Sequence, residues 1–333
     1  AGGTGAGVFA EAKSLNESRP ENEKVWVIGV DQDQEYLGKY KSKDGKDSNF
    51  VLVSTIKEVG NVVKDIAKGG NIHQHLDLIA GLPFEDYKSF EKSFDDVYRL
   101  EPEQLQLGFL KLLRGSGLRR DADKYGIVYT DEAPYEVLYT KEMSFDDMLR
   151  LKGIEEMVET FYNSSKALST VKYAVSITKR PFKFFEDLSL WWAENGFDEI
   201  SHSKIELYGR LFEFLRTYLP LKDHIDYVKE LLRYDIYLGD NLKAIPEGIS
   251  RNADEKEKKF ERDFYISDTN IKMYIPKLAE YSPKQLLRMC RIEFFDINPL
   301  TWNKQKTAVL FNYYERDAIF NKAETKIVWK EDI

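Results

Sequence analysis

His73, His75 and Asp77 alternate along one apolar stretch, so a strand there sets all three side chains on one face. Two imidazoles and a carboxylate at that spacing are a donor set of zinc type. The same alternation suits histidines that pack or hydrogen-bond beside a sheet, and this is the expectation: no metal centre is predicted. From Asp77 onward the pattern D-x-I-x-G-x-P-x-E is formed by Asp77, Ile79, Gly81, Pro83 and Glu85. It offers a carboxylate and an apolar residue on a strand, a glycine and a proline that end the strand, and a second carboxylate in the loop. Near the start, Gly2, Gly3, Gly5 and Gly7 crowd a turn before VFAEAKSL, where Val8, Ala12 and Leu15 share a helical face. Backbone N–H groups at a helix N-terminus meet anionic or hydroxyl ligands. Asp31 closes the apolar run VWVIGV, and Lys57 follows FVLVST. A carboxylate accepts from two hydroxyls, and an ammonium donates to ring or hydroxyl oxygens. Cys290 is the single cysteine and stands among Leu287, Met289 and Phe294, which predicts a buried, inert thiol. His202 and His224 are expected at the surface, and no Ser-His-Asp or Cys-His arrangement is suggested.

The elements that hold these residues read as α/β, then mostly helical. Four apolar strands are expected, in VWVIGV, FVLVST, HLDLIAGL and QLQLGFLKLL, each followed by a helix or a polar loop. The stretch FEDYKSFEKSFDDVYRL carries Phe84, Tyr87, Phe90, Phe94 and Val97 at helical spacing. Ser144 with Asp147 predicts an N-cap for a helix bearing Met148, Leu151, Ile154 and Val158 on one face. Amphipathic, aromatic-rich segments follow, and core packing is expected of Trp191, Trp192 and Tyr208 in preference to a cofactor or substrate pocket. The charged run Ala253 to Asp263 is read as a solvated connector or helix start. RIEFFDI, KTAVLFNYYERD and TKIVWK predict a small antiparallel sheet at the end. Three segments result: residues 1–69, 70–140 and 141–333.

The first segment resembles the basic membrane lipoprotein family, the purine nucleoside receptors of ABC transporters, through GGTGAGVF, KVWVIGVDQDQ and FVLVSTIKEVGNVVKDI. That resemblance implies half of one lobe of a periplasmic-binding-type fold. It implies a ribose-clamping role for Gly3, Gly5, Asp31 and Lys57. The remainder resembles the last strands of a radical SAM partial barrel with the C-terminal extension of some cobalamin-binding members. NIHQHLDLIAGLPFEDYKSF and LEPEQLQLGFLKLLRGSGL carry that likeness. It implies that Asp77, Ile79, Gly81, Pro83 and Glu85 lie against the adenosine of S-adenosylmethionine, and that Arg114 to Leu118 form the turn after the sixth barrel strand. S-adenosylmethionine, a 4Fe-4S cluster and cobalamin are thus implied for the parent protein. The three cysteines of a C-x3-C-x2-C loop are needed to ligate that cluster, and a chain with one cysteine lacks them. No cofactor is expected of these residues as they stand.

Composition narrows the partners. The net charge of -8, with lysine and arginine dispersed among acids, argues against a nucleic-acid surface. No apolar run is long enough for a membrane span, and no oxidising-compartment signature appears, so the cytoplasm is the expected location. Two architectures stay open. In one, the pieces are separate and expose torn sheet edges; in the other, all four strands join one parallel sheet. Three functions follow: the C-terminal portion of a cobalamin-dependent radical SAM protein, inactive alone; a nucleoside-binding module; or a fusion with no evolved activity.

Overall fold

The computed structural model describes residues 27–30, 50–53, 56–68, 74–242, 245–317 and 321–331. Strands β1 (Val27–Val30) and β2 (Phe50–Val53) run parallel, with Val27 opposite Phe50, and helix α1 (Ile56–Ala67) follows. Strand β3 (His75–Ala80), helix α2 (Tyr87–Tyr98) and strand β4 (Gln104–Phe109) form a parallel strand–helix–strand crossover in which His75 faces Gln104 and Ala80 faces Phe109. The α/β character and the parallel pairing agree with expectation. The single four-stranded sheet does not form among the described residues: β1–β2 and β3–β4 are separate pairs.

Cap chemistry corrects the start of α2. Asp86 accepts from the Ser89 backbone N–H at 2.7 Å while Ser89 Oγ accepts from the Asp86 N–H at 2.9 Å, a capping box that opens the helix after Phe84 and Glu85. Phe84 therefore does not join the helical stripe; it is 79% exposed with φ at +69°. Phe90, Phe94, Val97 and Tyr98 make the buried face. Strands β5 (Val128–Tyr129) and β6 (Val137–Tyr139) pair antiparallel. Helix α3 (Phe145–Met157) opens on the expected Ser144–Asp147 box and buries Met148, Leu151 and Ile154. Helices α4 (Leu168–Thr178) and α5 (Pro181–Glu194) come next.

The chain divides into two compact units, Ala1–Glu159 with Arg180–Leu190, and Thr160–Lys179 with Trp191–Ile333. In the first, the Phe182 N–H donates to Asp95 Oδ1 at 2.8 Å and Phe182 meets Phe94 edge-on at 5.5 Å, so the start of α5 lies along α2. Gly153 lets α3 approach α5: a Cβ there would stand 2.2 Å from Ser189 Oγ.

The second unit holds α4, α6 (Lys204–Thr217), α7 (Ile225–Gly239), α8 (Glu255–Ile266), α9 (Asp268–Tyr274) and α10 (Pro283–Met289). The expected sheet is present, an antiparallel β7 (Cys290–Phe295), β8 (Thr307–Arg316) and β9 (Ala323–Lys330) in that order. Trp192 and Tyr208 are core residues, 2% and 1% exposed. The charged run is helical from Glu255, capped by Asp254, and Glu257 within it is buried.

Helix α7 is buried on nearly every side and carries charge inward. Arg233, 1% exposed, donates Nη2 to Glu230 Oε2 at 2.9 Å and to the Phe294 carbonyl, with its guanidinium 4.7 Å from the Phe295 ring centroid. Glu230 Oε2 also accepts the Asp296 N–H at 2.8 Å, which ties the end of β7 to the helix. Asp235 reaches α4, whose cap residue Ala167 has no side-chain acceptor. Its carboxylate accepts from the Ser169 N–H at 3.1 Å and from the Thr170 N–H and Oγ1, each at 2.8 Å. Among the described residues no helix is long and apolar enough to cross a membrane.

Candidate functional site around strand β3

Alternation on β3 sends Leu76 and Ala80 into the core and leaves His75, Asp77 and Ile79 exposed on the other face. Opposite them on β4 stand Gln104, Gln106 and Gly108. Parallel strands are ordinarily covered on both faces; among the described residues this face is left exposed, and that sets the site apart. Gly81 leaves the strand at φ +88°, a left-handed turn that a side chain would strain, and the ring of Phe84 stands edge-on to Tyr125 at 5.6 Å. Burial pushes Glu85 up to about 7, against a hydrogen bond from Ser93 Oγ at 3.5 Å and with help from Asp86. Asp77 and Ile79 thus share one open face, Gly81 and Pro83 form the exit, and Glu85 answers to the α2 side.

Glu85 gives a first test. A carboxyl whose folded pKa stands above its unfolded value favours the folded state in acid and withdraws that contribution as pH rises. Stability should fall between about 4.5 and about 7 for this reason. Glu85→Gln is expected to flatten that decline in urea melts run across the interval, and the Glu85 carbon resonance should titrate near 7. A midpoint at an ordinary carboxylate value would contradict the burial described.

The loop after β4 is built on a cation that spacing alone does not reveal. Ser116 Oγ accepts the Arg119 N–H at 3.2 Å and starts a single helical turn. Arg119 donates to the Leu112 carbonyl at 3.0 Å and lies 4.9 Å from the Tyr129 ring and 5.0 Å from the Tyr135 ring. The guanidinium is clamped between two aromatic faces, and the two tyrosines come from sequence well beyond the RGSGL turn.

The four residues for which the receptor resemblance implies a ribose clamp lie wholly or in their side chains outside the described residues. Gly3, Gly5 and Asp31 lie outside the described residues; Lys57 is the second residue of α1, and its side chain lies outside them too. His73 is likewise outside, and among the described residues no three of His, Cys, Asp and Glu are placed to hold a metal ion. The surface placement of two histidines is corrected. His202 is half-buried, bonded through Nε2 to the Phe197 carbonyl at 2.8 Å and packed 5.1 Å from Trp192. His224 Nδ1 meets the Tyr173 hydroxyl at 2.8 Å. Both are held by aromatic neighbours that helical periodicity does not reveal. Cys290 is 1% exposed, and burial pushes its thiol up to about 12, as an inert thiol requires.

A family model described as "Protein of unknown function (DUF4080)" matches residues 123–311, more than half of the chain. The chain belongs to the DUF4080 family. A second model, "ABC transporter substrate-binding protein PnrA-like", matches residues 1–76. The ABC transporter nucleoside-binding protein BmpA of Lactococcus lactis subsp. cremoris is 85% identical over 67 residues, which are 20% of this chain and 19% of that protein. The CD4+ T-cell-stimulating antigen of Listeria monocytogenes is 57% identical over 67 residues, 20% of this chain and 18% of the other. The chain therefore spans about a fifth of the length of the curated relatives it matches. The two matches do not overlap, so the chain joins a DUF4080 region to a piece similar to the PnrA-like family.

Proposed function

We propose that residues 70–333 derive from the C-terminal portion of a cobalamin-dependent radical SAM protein and that this chain, by itself, performs no reductive cleavage of S-adenosylmethionine. The supporting observation is the parallel β3–α2–β4 crossover with Asp77 and Ile79 on its bare face and Gly81 at its exit. A partial barrel would turn such a face toward a cofactor. The residues present do not fit a 4Fe-4S cluster, whose irons need several thiolates; the one thiol, Cys290, is buried and directed at Asn312 Oδ1 at 3.7 Å. No chemical step is assigned to the chain. Its expected location is the cytoplasm. Anaerobic reconstitution with iron and sulfide should leave no thiolate-to-iron charge-transfer band, and a stoichiometric cluster would overturn the assignment.

Nucleoside binding is the second reading, favoured by the identity to the nucleoside-binding protein BmpA. Saturation at 100 times a dissociation constant would stabilise the chain by about 2.7 kcal/mol, so a thermal shift with adenosine or guanosine decides it. No shift would leave a fusion that retains neither ancestral activity.

A further inference from the structure

In the second unit Tyr173, on α4, is enclosed by aromatic rings and is 6% exposed. Tyr227 of α7 stacks on it, with ring centroids 5.4 Å apart and 4° between the planes. Trp302, in the loop before β8, stands edge-on to the same ring at 5.4 Å. Both are arrangements that aromatic quadrupoles favour. Trp302 is held there at a cost: its φ is +60°, a left-handed conformation rare for a bulky residue. Its N–H donates to the carbonyl of the buried Asn298 at 2.8 Å, which fixes the turn. Tyr227 and Trp302 are themselves half-buried, so each joins the enclosed ring to the surface.

The polar end of Tyr173 is matched to a base. Its hydroxyl lies 2.8 Å from Nδ1 of His224, the residue before α7. Burial, with Tyr227 adding, pushes that hydroxyl up to about 12, so the group is a neutral phenol at pH 7. A neutral phenol yields an electron far more readily when its proton can leave at the same moment. An imidazole protonated on Nε2 presents Nδ1 as the acceptor of the hydrogen bond and then of the proton. Tyr313 shows the alternative within the same unit: its hydroxyl donates to the Tyr237 carbonyl at 2.7 Å, which satisfies a buried phenol and takes no proton.

We infer that Tyr173 is a redox-active tyrosine: a one-electron oxidant removes an electron from the ring while the hydroxyl proton passes to His224 Nδ1. The products are a neutral phenoxyl, an imidazolium and the oxidant reduced by one electron. The oxidant is a diffusing radical of the carbonate or peroxyl class, and the electron leaves through Tyr227 or Trp302. A small thiolate returns the electron and becomes a thiyl radical, and the imidazolium returns the proton. The inference rests on the second unit alone and is independent of the radical SAM parentage. Flash photolysis of the full chain with ruthenium tris(bipyridine) and persulfate, read by electron paramagnetic resonance, tests it. A long-lived phenoxyl signal should form, should be absent in Tyr173→Phe, and should form more slowly in heavy water. His224→Gln keeps a hydrogen-bond acceptor but offers no base. It should lower the yield by about tenfold or more, the ordinary effect of losing one hydrogen bond to a charged group. If that variant melts abnormally, the comparison of light and heavy water on the unaltered chain carries the test. A long-lived signal that survives in Tyr173→Phe, a yield unchanged in a folded His224→Gln variant, or equal rates in the two solvents would each overturn the inference.

Discussion

Replacing Arg233 by methionine should destabilise the second unit by roughly 3–5 kcal/mol, the usual loss when one partner of a buried ion pair is removed. The variant leaves the Glu230 carboxylate, itself 7% exposed, without its counter-ion, and it strips the Phe294 carbonyl of its donor. The hydrophobic volume is nearly kept, so the effect isolates charge from packing. In a unit of this size a loss of that order lowers the melting temperature by on the order of 10 °C. The double variant Glu230→Gln with Arg233→Met should recover part of the loss, because the stranded carboxylate is gone. Recovery remains partial, since the Arg233 hydrogen bond to the Phe294 carbonyl and its contact with the Phe295 ring stay lost. Thermal and urea melts of the four proteins complete the cycle. A single variant within about 1 kcal/mol of the parent, the size of an unremarkable substitution, would remove the pair from the account of what holds α7 to β7.

Asp235→Ala should come second, at about 2–4 kcal/mol, the sum of a lost helix cap and buried donors left unpaired. One side chain on α7 serves the first turn of α4, and three donors converge on its carboxylate: the Ser169 N–H, the Thr170 N–H and the Thr170 hydroxyl. Neither helix supplies a substitute, since the local cap residue is Ala167. Asp235→Asn should be milder, because the amide oxygen still accepts. The diagnostic readout is amide hydrogen exchange: Ser169 and Thr170 should exchange much faster in the alanine variant than in the asparagine variant. Uniform acceleration throughout the unit, with no excess at those two amides, would mean that the carboxylate contributes through general stability and not as a cap.

What could be read from the chain divides by the distance over which each signal acts. Helix α3 is legible because Ser144 and Asp147 sit three positions apart and announce its start. The sheet β7–β8–β9 is legible because alternation in RIEFFDI and TKIVWK is a local property. Phe84 misleads: its spacing to Phe90 and Phe94 fits a helix, yet the Asp86–Ser89 box starts the helix after it. The charges on α7 are illegible for a different reason. KELLRYD has the appearance of an ordinary amphipathic helix, and, beyond the Glu230–Arg233 pair itself, the groups that take Glu230, Arg233 and Asp235 lie more than sixty residues away, at Asp296, Phe294 and Thr170. The bare face of β3 follows from alternation once the strand is placed; the pairing of Tyr173 with His224 does not, because the two stand 51 residues apart.

Cys290 also makes the molecule its own chronometer. A chain with one thiol, 1% exposed and disfavoured as thiolate by burial, reacts with a thiol reagent at neutral pH only when the β7 edge opens. Because β7 is paired along its length to β8, from Cys290 opposite Asn312 to Phe295 opposite Thr307, the labelling rate reports that opening as a single number. The unit's local stability is thereby readable on the unaltered protein, with no probe introduced.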